Sequence, residues 1–227
     1  MTMTLPVLAW GFALLSAAVA VIVASALRSR ILTLLILAWM AFAAGLALSG
    51  WLADISHLPP RMLRLAFAGF VLTLALGLSR YVLALAAQPV GWLVGAQAFR
   101  ILVEVLLHGA YTAGLAPVHL TWSGRNFDIV TGVTALALAP CAGRLSRRAL
   151  AAWNAMGLAF LIWVVGVAVL SFPTPFQRLT PDNLWIVQFP YVWLPTVLVP
   201  AAILGHIALF RKLGTRPMSE TGESTVR

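Results

Sequence analysis

Long apolar runs, each closed by a short polar interruption, repeat along the whole chain. The first runs from about Leu5 to Leu27 and stops at Arg28 and Arg30; the second runs from about Ile31 to Leu52. Each has the roughly 20 residues that an α-helix needs to cross the hydrocarbon core of a bilayer. The same reading predicts spans over about Met62–Ser79, Val90–Thr112, Phe127–Ala142, Ala149–Ser171 and Phe189–Phe210. Pro89 suits the first turn of the fourth span. The fifth is short and has Pro140 near one end, and the seventh carries Pro190, Pro195 and Pro200, which predict a kinked helix with freed backbone groups. Residues 81–88 form an apolar connector suited to the membrane interface. The pattern predicts an all-α, polytopic integral membrane bundle of seven transmembrane helices. It occupies one domain, 1–212, followed by a polar, disordered tail, 213–227.

Charge placement supplies an orientation. With the N-terminus outside and the C-terminus in the cytoplasm, the cytoplasmic side receives Arg28, Arg30, Arg80, Arg144, Arg147, Arg148, Arg211, Lys212, Arg216 and Arg227. The outer side receives Arg61, Arg64, Arg125 and Arg178. This bias is the positive-inside pattern. Trp51, Trp92, Trp122, Trp153 and Trp185 fall near predicted span ends, where an aromatic belt belongs. A cleaved leader ending at Ala24-Ser25-Ala26 is disfavoured, because no basic segment precedes an apolar stretch that is too long for one.

Composition agrees with the pattern. The 227 residues are 62% hydrophobic and 9% charged, with mean hydropathy +0.97. A soluble fold carries roughly 25% charged residues and could not hide so much apolar surface. The net charge of +9 does not imply nucleic acid, because the basic residues are distributed among loops and form no single face. The expected partner is the lipid bilayer; fourteen arginines against a single lysine, with abundant alanine, suggest a GC-rich bacterial genome and hence a bacterial cytoplasmic membrane. Cys141 is the lone cysteine, so no intramolecular disulfide can form. Ser16, Ala20 and Ala24 in the first span, and Ala41, Gly45 and Ser49 in the second, form small-residue stripes that favour close helix packing.

Candidate chemistry concentrates in the fourth span. Arg100, Glu104 and His108 are four residues apart and share a helix face, with Gln97 and Tyr111 beside them. Charge inside hydrocarbon costs about 2.5–3.5 kcal/mol per residue on insertion scales, so this stripe should face protein or a water-filled cavity. Glu104 either neutralises Arg100 or carries a proton, with His108 as its outer partner. Arg125, Asn126 and Asp128 open the fifth span, where Asn126 can cap the helix and Asp128 suits its positive end. Alternatively, Arg125 and Asp128 fold over the fourth span and complete a ligand-binding or proton-relay pocket with Gln97, Arg100, Glu104 and His108. His57 and His119 read as solvated loop histidines, and His206 as too deep in the seventh span to meet His108. A zinc site from Asp54, His57, His108 and His119 has suitable ligand types but no supporting spacing. No cofactor is expected: the spans contain no lysine for a retinal Schiff base, and His108 and His206 lie at different depths for haem.

The segments Gln97-Ala98-Phe99-Arg100-Ile101-Leu102-Val103-Glu104, Gly124-Arg125-Asn126-Phe127-Asp128-Ile129-Val130-Thr131-Gly132 and Pro190-Tyr191-Val192-Trp193-Leu194-Pro195 resemble a group of bacterial multi-pass membrane proteins without an assigned activity. The resemblance covers about the last 140 residues. It carries over no functional residue and points to spans four, five and seven as the working half. The leading functional expectation is small-solute or proton-linked transport or sensing through an outward-facing polar pocket. The rivals are an intramembrane hydrolase, metal-assisted or not, acting on a lipid or amphiphile, and a scaffold without chemistry.

Overall fold

The computed structural model describes residues 3–214. All regular structure among the described residues is helical. Helix α1 (Leu5–Leu27) ends where Arg28 takes a left-handed conformation, φ 52°. The chain then turns into α2 (Arg30–Leu48), whose first turn is capped by the Ser29 hydroxyl accepting from the Leu32 N–H at 3.4 Å. Helix α3 (Arg61–Leu78) follows, then the short α4 (Val82–Ala86), α5 (Val90–Ala96), α6 (Phe99–Thr112), α7 (Asp128–Leu138), α8 (Arg147–Leu170) and α9 (Val199–Gly214).

Six helical stretches are long and apolar enough to cross a membrane: α1, α2, α3, the pair α5–α6 taken together, α8, and Leu194–Gly214. Large apolar side chains such as Trp10, Leu14, Ile31 and Leu78 point out of the bundle. Such an exterior needs lipid to cover it, so the chain is a multi-pass membrane protein in character. The fifth predicted span is a composite. Eleven residues of α7 rise about 16 Å, and a 3-10 segment over Ala139–Arg144 adds about 12 Å.

The fourth span is not continuous. Between α5 and α6 the backbone tightens, with Gln97 N–H donating to Val94 C=O and Ala98 N–H to Gly95 C=O. No proline causes this. The interruption coincides with the Gln97 side chain reaching across to donate to the Ala202 carbonyl at 3.2 Å. The last span also departs from its expected limits. Pro190 lies before the helix, which opens with a wide π turn at Leu194–Leu198 and continues as α9 to Gly214. Pro200 has no N–H to give the Thr196 carbonyl four residues earlier, and the Trp39 indole of α2 donates to that carbonyl at 2.9 Å instead.

Helix α9 is the hub, packing on α8, α3, α4 and α5. Connector 81–88 therefore becomes the small helix α4, lodged against α9 and α1 with Val82, Leu85 and Ala86 buried. One apolar core lies around Phe12, Phe172, Trp185 and Tyr191, and a second around Val82, Leu93, Leu150 and Leu209. Trp153 and Trp185 are accordingly core residues rather than members of an interfacial belt, whereas Trp51 and Trp122 remain exposed. The α1 stripe Ser16, Ala20 and Ala24 is buried, but Ala41, Gly45 and Ser49 of α2 face outward; α2 packs through Met40, Ala43 and Ala47. Arg216, Arg227 and nearly all of the predicted tail lie outside the described residues.

Candidate functional site

Arg100 is the largest side chain with almost no exposure, 1%, and all three of its guanidinium nitrogens are engaged. Nε donates to Asp128 Oδ2 at 2.6 Å, and Nη2 donates to Asp128 Oδ1, giving a two-pronged pair between α6 and the first residue of α7. Nη1 lies 2.9 Å from His206 Nε2 on α9, and Nη2 also approaches the Gly157 carbonyl of α8 at 3.4 Å. One arginine thus ties four helices together.

The tautomer of His206 follows from these partners. A guanidinium can only donate, so His206 Nε2 accepts. Its Nδ1–H then donates to Asn154 Oδ1 at 2.8 Å, while Asn154 Nδ2 donates to the His206 carbonyl at 3.0 Å. His206 is therefore a neutral, fixed acceptor. The Arg100–Asp128 pair with its His206–Asn154 backing is closed, neutral and fully bonded.

Close helix approach makes the arrangement feasible. A Cβ on Gly157 would lie 2.7 Å from Thr131 Cγ2 and 2.9 Å from His206 Cε1. A Cβ on Gly132 of α7 would lie 2.9 Å from the Ile101 backbone nitrogen of α6. Neither site has room for a side chain without displacement.

Glu104, one turn along α6, does not pair with Arg100. Its Oε1 accepts from Asn126 Nδ2, which also donates to the Leu120 carbonyl at 2.9 Å. Asn126 Oδ1 receives the Asp128 N–H at 2.9 Å, so one amide both starts α7 and holds Glu104. Glu104 is 1% exposed, yet its Oε2 has no hydrogen-bond partner among the described residues. Buried polar atoms left in this condition are uncommon and call for a physical reason.

Glu104 is also among the residues that line an open space. A cleft of about 880 Å³ runs between α3 and α8, both of which lean on α9. Its walls are Met62, Leu63, Phe67, Phe70 and Leu74 on one side and Leu158, Leu161, Ile162, Val165 and Val169 on the other. Its floor comes from Val103 and Leu107 of α6 and Ile203 and Ile207 of α9. The polar groups that line it are few: Glu104, Asn126, Asp128, Asn183 and, at the rim, Arg64. Phe67, Phe70 and Ile162 are exposed on the bundle surface, so the cleft opens sideways, where hydrocarbon would be. The cleft that Glu104 borders is thus almost wholly apolar, where the sequence predicts a polar pocket.

The other sequence candidates are dispersed. Gln97 is buried against α9, and its Oε1 lacks a partner among the described residues. His108 turns away from Glu104 and stacks on Trp122, with ring centroids 4.4 Å apart and planes 15° from parallel. Arg125 has an exposed side chain, and its carbonyl accepts from the Trp163 indole at 2.8 Å. His119 is 5% exposed rather than solvated, and burial with Arg125 nearby pushes its imidazole below the usual range. Asp54 is held below the usual carboxylate range by its two hydrogen bonds from Ser56; it pairs with Arg61 at 2.7 Å and only distantly with the exposed His57. Asp54, His57, His108 and His119 are not gathered, and no group of three metal-competent side chains occurs among the described residues.

His206, weighed from sequence only against His108, and Asn154 and Gly157, not weighed at all, are the site residues that sequence reasoning missed. His206 and Asn154 are polar positions inside otherwise apolar spans, which is the signal that singled out Arg100. No family model matches this chain, and no curated protein or solved structure does so either.

Proposed function

We propose that this protein takes an amphiphile from the bilayer through the cleft between α3 and α8 and couples that binding to a proton on Glu104, in the manner of a proton-linked transporter. In this reading the composite α7 segment is a seventh span, the N-terminus is outside, and the membrane is a bacterial cytoplasmic one. The positive-inside distribution of arginine supports that topology. In that topology Arg64, Asn126, Asp128 and Asn183 would lie toward the outer side, and the amphiphile's polar end would sit in the outer half of the membrane.

One observation carries the reading: Glu104, whose Oε2 has no hydrogen-bond partner among the described residues, is one of the few polar residues along a large cleft whose walls are otherwise almost wholly apolar. The volume is within the roughly 300–1,000 Å³ range of ligand sites. An apolar tail would replace lipid chains along α3 and α8, and the polar end would reach Glu104. The hydrolase alternative has less support, because both Asp128 oxygens are held by Arg100 and only Glu104 keeps a free carboxyl oxygen for acid–base work.

The test is photolabelling of the reconstituted protein with a single-chain alcohol that carries a diazirine on its tail. Label should map to residues 62–74 and 158–169. Narrowing both walls with Ala66→Trp and Val165→Trp should reduce it at least about five-fold while the protein stays folded, as expected for a filled pocket. Uniform labelling of the whole lipid-facing surface, unchanged by the double variant, would overturn the reading.

A further inference from the structure

We infer that the amphiphile this cleft selects is a lipophilic amine, bound as its ammonium in exchange for the proton on Glu104. This inference rests on the amphiphile reading above. It comes from counting charge around the free oxygen. Arg100 is compensated by both oxygens of Asp128. His206, behind Arg100 on α9, is a neutral acceptor. Asn126 is neutral, and Asn154 is the α8 partner of His206. Arg64 of α3 stands at the cleft rim with its side chain exposed, where solvent and headgroups screen it.

The buried cluster is therefore neutral without Glu104 and carries one excess negative charge when Glu104 is ionised. An isolated carboxylate in an apolar site is costly unless a cation accompanies it. Two kinds of cation satisfy Oε2: a proton on the carboxyl itself, or an ammonium donating to it from the cleft. An anionic or neutral head does neither as well, because it leaves the excess charge in place or leaves the proton on.

The exchange balances. The ammonium enters as R–NH3+, the O–H bond of Glu104 breaks, and the proton leaves to the external solution. An N–H···O bond to Oε2 replaces it, and the net charge of the site is the same before and after.

The experiment uses the full chain in nanodiscs of neutral phospholipid, with dodecylamine, dodecanol and dodecanoic acid as probes and empty discs subtracted. Dodecylamine should bind about ten-fold more tightly than dodecanol, as expected for a charge-assisted over a neutral hydrogen bond. In weakly buffered medium near neutral pH its binding should release about one proton per site by linkage. Glu104→Gln should abolish both the preference and the release, and Glu104→Asp should restore part of the release. Equal binding of all three probes by the wild-type protein, without proton release, overturns the amine assignment and leaves the amphiphile reading standing. No saturable binding of any probe overturns both.

Discussion

Replacing Arg100 with Leu is expected to lower the midpoint of thermal unfolding in detergent or nanodiscs on the order of 10 °C. The variant removes the Arg100 hydrogen bonds to both oxygens of the Asp128 carboxylate and leaves that residue buried, 6% exposed, between α6 and α7. Breaking a buried pair from one side costs about 3–5 kcal/mol because the remaining charge is stranded. For a chain of about this length each kcal/mol corresponds to roughly 2–4 °C. Arg100→Lys should fall nearly as far, since an ammonium cannot reproduce the two-pronged contact to Asp128 together with the bond to His206. The double variant Arg100→Leu with Asp128→Leu should recover much of the loss, because two apolar residues of similar size replace a pair that had to be desolvated. The coupling energy from that cycle measures the pair itself. Single and double variants melting with the wild-type protein would mean that the pair does not organise the bundle.

The second large effect is expected at Gly157. Even alanine there places a methyl against Thr131 Cγ2 and His206 Cε1, at distances that real Cβ atoms almost never show. Gly157→Val adds two more carbons to the same gap between α8, α7 and α9. Overpacking of this kind costs about 1–3 kcal/mol. The displaced group should be His206, so the signature is spectroscopic as well as thermal. Nitrogen NMR of the wild-type imidazole should report a single neutral tautomer with hydrogen on Nδ1, and Gly157→Val should lose that uniform signal. Thr131→Ser trims the opposing methyl and should restore part of the stability of Gly157→Ala. An unchanged imidazole spectrum in Gly157→Val would show that His206 is not held by the contacts described.

Six of the apolar helices were legible because an apolar run of about 20 residues has few other uses. What escaped was set by tertiary contacts. Nothing in the residues around Gln97 and Ala98 breaks a helix, and the interruption there coincides with a side chain bonding to another helix at Ala202. The onset of the last helix was misplaced by five residues, since Pro190 belongs to the preceding turn and the helical stretch begins at Leu194. The polar residues of the site stood out individually, as ionisable groups in apolar surroundings do. Their pairing did not, because it depends on how far each helix is rotated. A shared face on α6 suggested Arg100 with Glu104, whereas Arg100 reaches Asp128 and His206, and Glu104 turns to Asn126. His206 was judged only by its depth relative to His108, and a long arginine side chain spans the difference to Arg100. The cleft had no sequence signature at all. It exists because α3 and α8 both rest on α9 and leave space between them.

Modification by a membrane-soluble carbodiimide addresses the role of Glu104 most directly, since this reagent attacks a protonated carboxyl reached from an apolar phase. Treatment of the reconstituted protein, followed by mass spectrometry, should find the adduct on Glu104 and leave Asp128, whose oxygens are both engaged, unmodified. Prior saturation with a cleft-binding amphiphile should protect it. An unreactive Glu104, or equal labelling by a water-soluble carbodiimide, would contradict a protonated group facing a lipid-side cleft.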